Sequence, residues 1–173
     1  MAVYDLNTRY DNITKGFLAD AKGTLRGCLE RIDHCVKQLS EEQVWWRPNP
    51  KMNAIGNLIL HLAGNLGQWI VSGVGGKPDH RQRQAEFDQR DPIPKAELMS
   101  RLSKVIGEAE EAVQKQTDAE LLRVRPVQHY QTTGLTAIFH AVCHLEGHAQ
   151  EIIYITRMIL GEKYKFLWEP KKP

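Results

Sequence analysis

Three histidines, His140, His144 and His148, follow one another at four-residue intervals late in the sequence. Residues four apart share one face of a helix, so neighbouring imidazoles at this spacing can reach a single metal ion. One such pair, met alone, is more often two surface histidines, and the heptad register separates the two readings. With Val142 and Leu145 as the a and d positions of an apolar seam, His144 is a c residue and His148 a g residue, both on one shoulder of the buried stripe. His140 falls at f, the most exposed position, and is expected to support the site from outside or to face water. In an earlier apolar segment, Ile59 as a and Leu62 as d put His61 at c and Asn65 at g, the same shoulder. Were those two helices antiparallel neighbours, His61, His144 and His148 would converge in the cleft between them, with Asn65 beside them.

Three imidazoles without a thiolate suit zinc or nickel and leave coordination positions for water or substrate, which is the character of a catalytic site. Glu151, one turn past His148, is the carboxylate at hand for general-base or ligand-orienting duty, although it reads equally well as an exposed helical glutamate. A ferritin-like di-iron centre is disfavoured, because the second and third helices lack the inward carboxylates it needs.

The elements that must position these residues are helical. Four amphipathic patterns occur, and no run of period-two alternation competes with them. The first spans about 7–39, with Leu18, Leu25, Ile32 and Leu39 recurring every seven residues and Ala21, Cys28 and Cys35 filling the second seam position. The second opens at Asn53, a good N-cap, after Pro48 and Pro50, and ends in Gly73, Gly75 and Gly76. A polar link over 77–93 leads to a third helix starting at Pro94, with a seam of Leu98, Leu102, Val105, Ala109 and Ala112. An irregular connection over 117–131 precedes a fourth helix running from Thr132 or Thr133 to about Leu160. The expected fold is all-α, a four-helix bundle in which the long link lets helices 2 and 3 run parallel, giving an up-down-down-up order.

Length and composition agree with this. The chain has 173 residues, 42% of them hydrophobic and 25% charged, which is the profile of one globular domain over 1–173 with enough core to fold unaided. Its 23 basic and 21 acidic residues are interspersed, so there is no electrostatic case for a nucleic-acid partner. The lysines between 163 and 172 read as a solvated end. Residues 52–76 carry no charge, but their asparagines, Gln68, His61 and glycines are costly in hydrocarbon, so this reads as a buried helix and no membrane is expected. Cys28, Cys35 and Cys143 form no CxxC pair, and residues 1–10 lack an apolar core for a signal peptide. A reducing, cytoplasmic setting follows.

The stretch Trp45-Trp46-Arg47-Pro48-Asn49-Pro50, the stretch from Asn53 through His61 to Asn65, and the His140, His144, His148 series together resemble the DinB-like (DinB/YfiT) metalloenzymes, more narrowly an uncharacterised bacterial branch. The resemblance runs from helix 1 through helix 4. It implies an up-down-down-up bundle, a nickel or zinc ion held by His61, His144 and His148, and a homodimer. Some members are thiol S-transferases that use bacterial low-molecular-weight thiols, and others are isomerases. Where the family often has glutamine three residues after the last histidine, this chain has Glu151, with Gln150 beside it. Arg81, Arg83, Glu86 and Phe87 also fit that branch. Such a loop could hold an anionic substrate, but the simpler expectation is an Arg83–Glu86 pair that orders the loop. Trp45 and Trp46 are expected to cap the end of the bundle.

The leading expectation is a mononuclear metal-dependent enzyme acting on a small molecule, a transferase or hydrolase whose ion activates a thiol or water. Its rivals are a non-catalytic, stress-related metal binder and a helical interaction module with incidental histidines.

Overall fold

The computed structural model describes residues 8–168. Residues 1–7, which bear most of the signal-peptide expectation, and Lys171 and Lys172 of the lysine-rich tail lie outside that range.

Helix α1 (Ile13–Gln38) begins where Asn12 accepts a hydrogen bond from the Lys15 backbone, which places its start several residues later than the heptads alone predict. Its buried face, including Ala21, Leu25, Cys28, Ile32 and Cys35, follows the seven-residue repeat. A short α2 (Glu41–Val44) is closed by a capping box between Ser40 and Gln43. Trp45 follows it, buried, with its ring against Gly56, where a Cβ would stand 2.7 Å from the indole, and its Nε1 donates to the Ile93 carbonyl. Trp46 is exposed.

Helix α3 (Ile55–Leu66) starts two residues past Asn53, and its N-cap is Ala54. The expected asparagine cap is replaced by Asn57, whose Oδ1 accepts from the Ala54 backbone at 3.1 Å. The helix continues into a π-helical segment, Gly67–Ser72. The polar link then contains a helix of its own, α4 (Arg83–Asp88). In α5 (Lys95–Gln114) the buried seam uses Ile106, while Val105 is only half-buried.

The connection expected to be irregular holds α6 (Asp118–Leu122) and an antiparallel hairpin of β1 (Val124–Val127) and β2 (Tyr130–Thr133), in register Val124 to Thr133. Strands of four residues, one interrupted by Pro126, are too short to show a period in sequence. At the hairpin tip Gln128 adopts a φ of 54°, and Arg125, buried, ties β1 back to the carbonyls of Val74 and Glu120.

Helix α7 (Gly134–Leu160) follows directly, capped by Thr133. Its buried stripe is Ala137, Ile138, Ala141, Leu145, Ala149, Ile152 and Thr156. Relative to the expected register, in which Val142 is a core position, Ala141 moves inside and Val142 is only half-buried. The helix is therefore turned so that its histidine side lies nearer the core. α1 packs on α7 and α5, and α3 packs on α5 and α7, around one cluster of buried apolar side chains. The fold is predominantly helical, and among the described residues no helix is long and apolar enough to cross a membrane.

Candidate metal centre

His61 comes from the middle of α3 and is buried, whereas His144 and His148 stand half-buried on consecutive turns of α7. One ring nitrogen from each lies within 4.8 Å of the others. The Nε2 atoms of His61 and His144 are 2.8 Å apart, and the His148 ring crosses those of His61 and His144 edge-on at centroid distances of 5.3 and 4.6 Å.

Carboxylates turn two of these rings. His61 Nδ1 lies 3.1 Å from Glu86 Oε2, and His148 Nδ1 lies 2.7 Å from Glu151 Oε2. Burial alone would raise the Glu86 carboxyl, but hydrogen bonds from Arg81 and His61 outweigh it and hold the group below the usual carboxylate range. His61 Nδ1 stands 3.1 Å from both Glu86 Oε2 and Arg81 Nη2, and the two groups together hold the ring with Nε2 turned toward His144. The Glu151 contact holds the His148 ring from its far side. His144 is pushed down to about 4, first by burial and then by the neighbouring histidines and Arg81, so its ring is neutral near pH 7. Three imidazoles converging from two helices, two of them backed by carboxylates, are a donor set that fits a zinc- or nickel-type ion.

The Glu86 carboxylate reaches His61 because α3 makes room for it. A Cβ at Gly64 would lie 1.9 Å from Glu86 Oε1 and 3.0 Å from Arg81 Nε. Arg81 grips Glu86 with Nε at 2.8 Å and Nη2 at 2.9 Å, both side chains being almost fully buried. Asn57, also on α3, donates from Nδ2 to the carbonyls of Glu86 at 2.9 Å and Gln89 at 3.0 Å, fixing the backbone of α4. From Arg81 the network continues through Gln68 to Gln128 at the hairpin tip. A cavity of about 520 Å³ opens beside the histidines, walled by Trp69, Tyr130 and His140 as well as His61, His144 and Arg81.

The structure thus brings His61, His144 and His148 together and leaves His140 outside the cluster. His140 is exposed, its ring 4.2 Å from that of Trp69 and parallel to His144 at 5.9 Å. Asn65 is buried on the cavity wall, with an Oδ1 that has no hydrogen-bond partner, and makes no bond to the three histidines. Glu151 is exposed apart from its bond to His148. The expected Arg83–Glu86 pair does not form. Glu86 faces inward to Arg81 and His61, because the buried guanidinium of Arg81 needs a charged acceptor there, while Arg83 lies 5.0 Å over the Phe87 ring. The residues that sequence reasoning assigned no part were Asn57 and Gly64, and it left Glu86 unconnected to His61. The signal was present: Asn57, Gly64 and His61 lie three or four apart on one helix. The thiols stand apart: burial and Glu146 push Cys28 up to about 12, and all three cysteines are free.

No protein of curated function matches the sequence. Several solved structures are similar in fold. A conserved protein from Enterococcus faecalis superposes with a TM-score of 0.71 at 15% identity, covering 88% of this chain and 99% of that one. A DinB-like protein from Bacillus cereus gives 0.65 at 19% identity, covering 87% and 95%. A DinB-like protein from Bacillus subtilis gives 0.61 at 11% identity, covering 81% and 92%. Residues 12–172 match the family described as protein of unknown function (DUF1572). The chain carries the fold of the DinB-like proteins and belongs to the DUF1572 family.

Proposed function

We propose that this protein is a mononuclear metal-dependent enzyme of the DinB-like type, acting on a small molecule as a thiol S-transferase or a hydrolase. His61, His144 and His148 hold one divalent ion, nickel or zinc, in a single domain spanning the chain. The carrying observation is the convergence of three imidazoles from two helices, two of them hydrogen-bonded on the far side to Glu86 and Glu151. Such an ion supplies Lewis-acid chemistry, favouring loss of the proton from a thiol or water that it holds.

The protein's own residues do the rest. Glu86, together with Arg81, sets the plane of the His61 ring. Glu151, exposed and 2.7 Å from His148, orients that ring and is the carboxylate nearest the site able to exchange protons with solvent. The buried Arg81 neutralises Glu86, so that the carboxylate stays charged without water around it. Asn65 and His140 shape the side of the cavity against the ligands. A low-molecular-weight thiol is the co-substrate expected of an S-transferase. An up-down-down-up order of the four long helices, a cytoplasmic setting and a homodimer complete the reading. The contact face of the dimer is the side of α7 that leaves Phe139, Tyr154 and Met158 about 60% exposed.

Elemental analysis of untagged protein tests the centre: about one ion per chain is expected, with large losses in His61→Ala, His144→Ala and His148→Ala. His140→Ala should keep the stoichiometry. Full occupancy in all three ligand variants would overturn the site. A thiol-transfer screen on the loaded protein then separates an enzyme from a metal binder.

A further inference from the structure

The geometry points to an organic carboxylate with a planar, unsaturated body as the class of molecule that fills the cavity beside the three histidines, with Arg83 holding its carboxylate. This rests on the metal-centre reading of the same site and narrows its substrate.

Charge is the first ground. No aspartate or glutamate lines that cavity of about 520 Å³, whereas Arg81, Arg83, His61, His140 and His144 do. Arg81 is engaged, since its Nε and Nη2 are both directed to Glu86. Arg83 is different. No carboxylate among the described residues pairs with it, and its guanidinium is exposed on the Phe87 ring, 5.0 Å from the centroid. A stacked guanidinium keeps its in-plane N–H donors available, and a carboxylate matches that fork with two parallel hydrogen bonds. Glu86 offsets the charge of Arg81 but no carboxylate offsets Arg83, so a divalent ion beside it leaves positive charge that an anionic ligand would meet.

Shape is the second ground. Trp69, buried, is flanked by His140 at 4.2 Å and Tyr130 at 6.2 Å between ring centroids, and both of those flanking rings are exposed. They give a flat, polarisable wall, suited to a conjugated or aromatic body rather than a saturated chain. The cavity volume lies within the range typical of small-molecule sites, roughly 300–1,000 Å³.

Isothermal titration calorimetry on untagged, zinc-loaded protein tests this with benzoate as the probe and benzamide as its neutral counterpart. Benzoate is expected to bind about tenfold more tightly than benzamide, the size of one charge-assisted hydrogen bond. Arg83→Gln should erase that preference while leaving benzamide binding and zinc content unchanged, and Arg83→Lys should restore part of it. Tyr130→Ala should weaken both probes. Equal affinity for the two probes, absence of benzoate binding, or a preference that survives Arg83→Gln would overturn the proposal. A surviving preference that vanishes on zinc removal would place the carboxylate on the ion instead. Repeating the titration on zinc-free protein keeps the two readings apart. Lack of zinc binding sinks the metal centre, whereas the Arg83-dependent preference is still read directly.

Discussion

His144 must be neutral to bind an ion, and its surroundings keep it so at the cost of acid sensitivity. Its ordinary value near 6.5 falls to about 4 in the folded protein, chiefly through burial. The unfolded chain therefore binds more protons than the folded one between those values. The stability concerned is complete above about pH 6.5 and is lost as pH falls toward 4. Metal-stripped protein should show a thermal midpoint that drops across this window, whereas His144→Gln should show a flatter profile. Loaded protein should release its ion below pH ~6.5 with uptake of more than one proton, because three imidazoles compete with protons for it. A chromogenic chelator reads the release. Glu86 acts at the same scale. Glu86→Gln keeps the shape but removes the charge that orients His61, and metal affinity should fall by about 10- to 100-fold. Unchanged affinity in competition with a fluorescent chelator would show that the carboxylate does not orient the ring.

At the scale of the element, α3 carries more of the site than its one histidine. Gly64 leaves space for Glu86, and Asn57 fixes the backbone that bears it. Replacing an exposed helical glycine by alanine ordinarily stabilises a helix by about 1 kcal/mol. Here Gly64→Ala should instead displace Glu86 and Arg81, lowering metal affinity while circular dichroism reports the same helix content. If affinity is retained, the carboxylate has another route to His61. On α7 the decisive feature is rotation. Ala141 is buried in place of Val142, which draws His144 and His148 toward α3 and leaves Phe139 and Cys143 outside.

For the whole molecule, the core of α1, α3, α5 and α7 is built from apolar side chains that do not involve the histidines. Chelation should therefore remove the ion without loss of helicity. Coincident loss of both would make the ion structural and remove the main support for catalysis. The triple Cys→Ser protein, if folded, should keep its ion, since Cys28 and Cys35 are buried away from the cluster and Cys143 faces outward. The exposed side of α7 borders an apolar groove against α1 of about 690 Å³, lined by Phe17, Phe139 and Val142. Phe139→Glu should shift a dimer to monomer in analytical ultracentrifugation without changing metal content.

Helical periodicity and the four-residue spacing of histidines are local properties, so the all-helical class and the candidate trio could be read from the chain alone. Heptad register even separated His140 from His144 and His148, because the angle between residues on one helix depends only on their spacing. What lay beyond that reading involves partners distant in sequence. Whether Glu86 meets Arg83 or Arg81, and that it also meets His61, depends on how the link between α3 and α5 folds back over α3. The hairpin, too short to show its period, supplies Tyr130 to the cavity wall. The rotation of α7 follows from packing against α1 and α3 together, a compromise between two neighbours that no single heptad contains. The candidate trio was marked by local spacing on two separate helices, whereas its convergence and the groups that orient and neutralise it were decided by tertiary contact, because buried charge is stable only where a partner from elsewhere in the fold meets it.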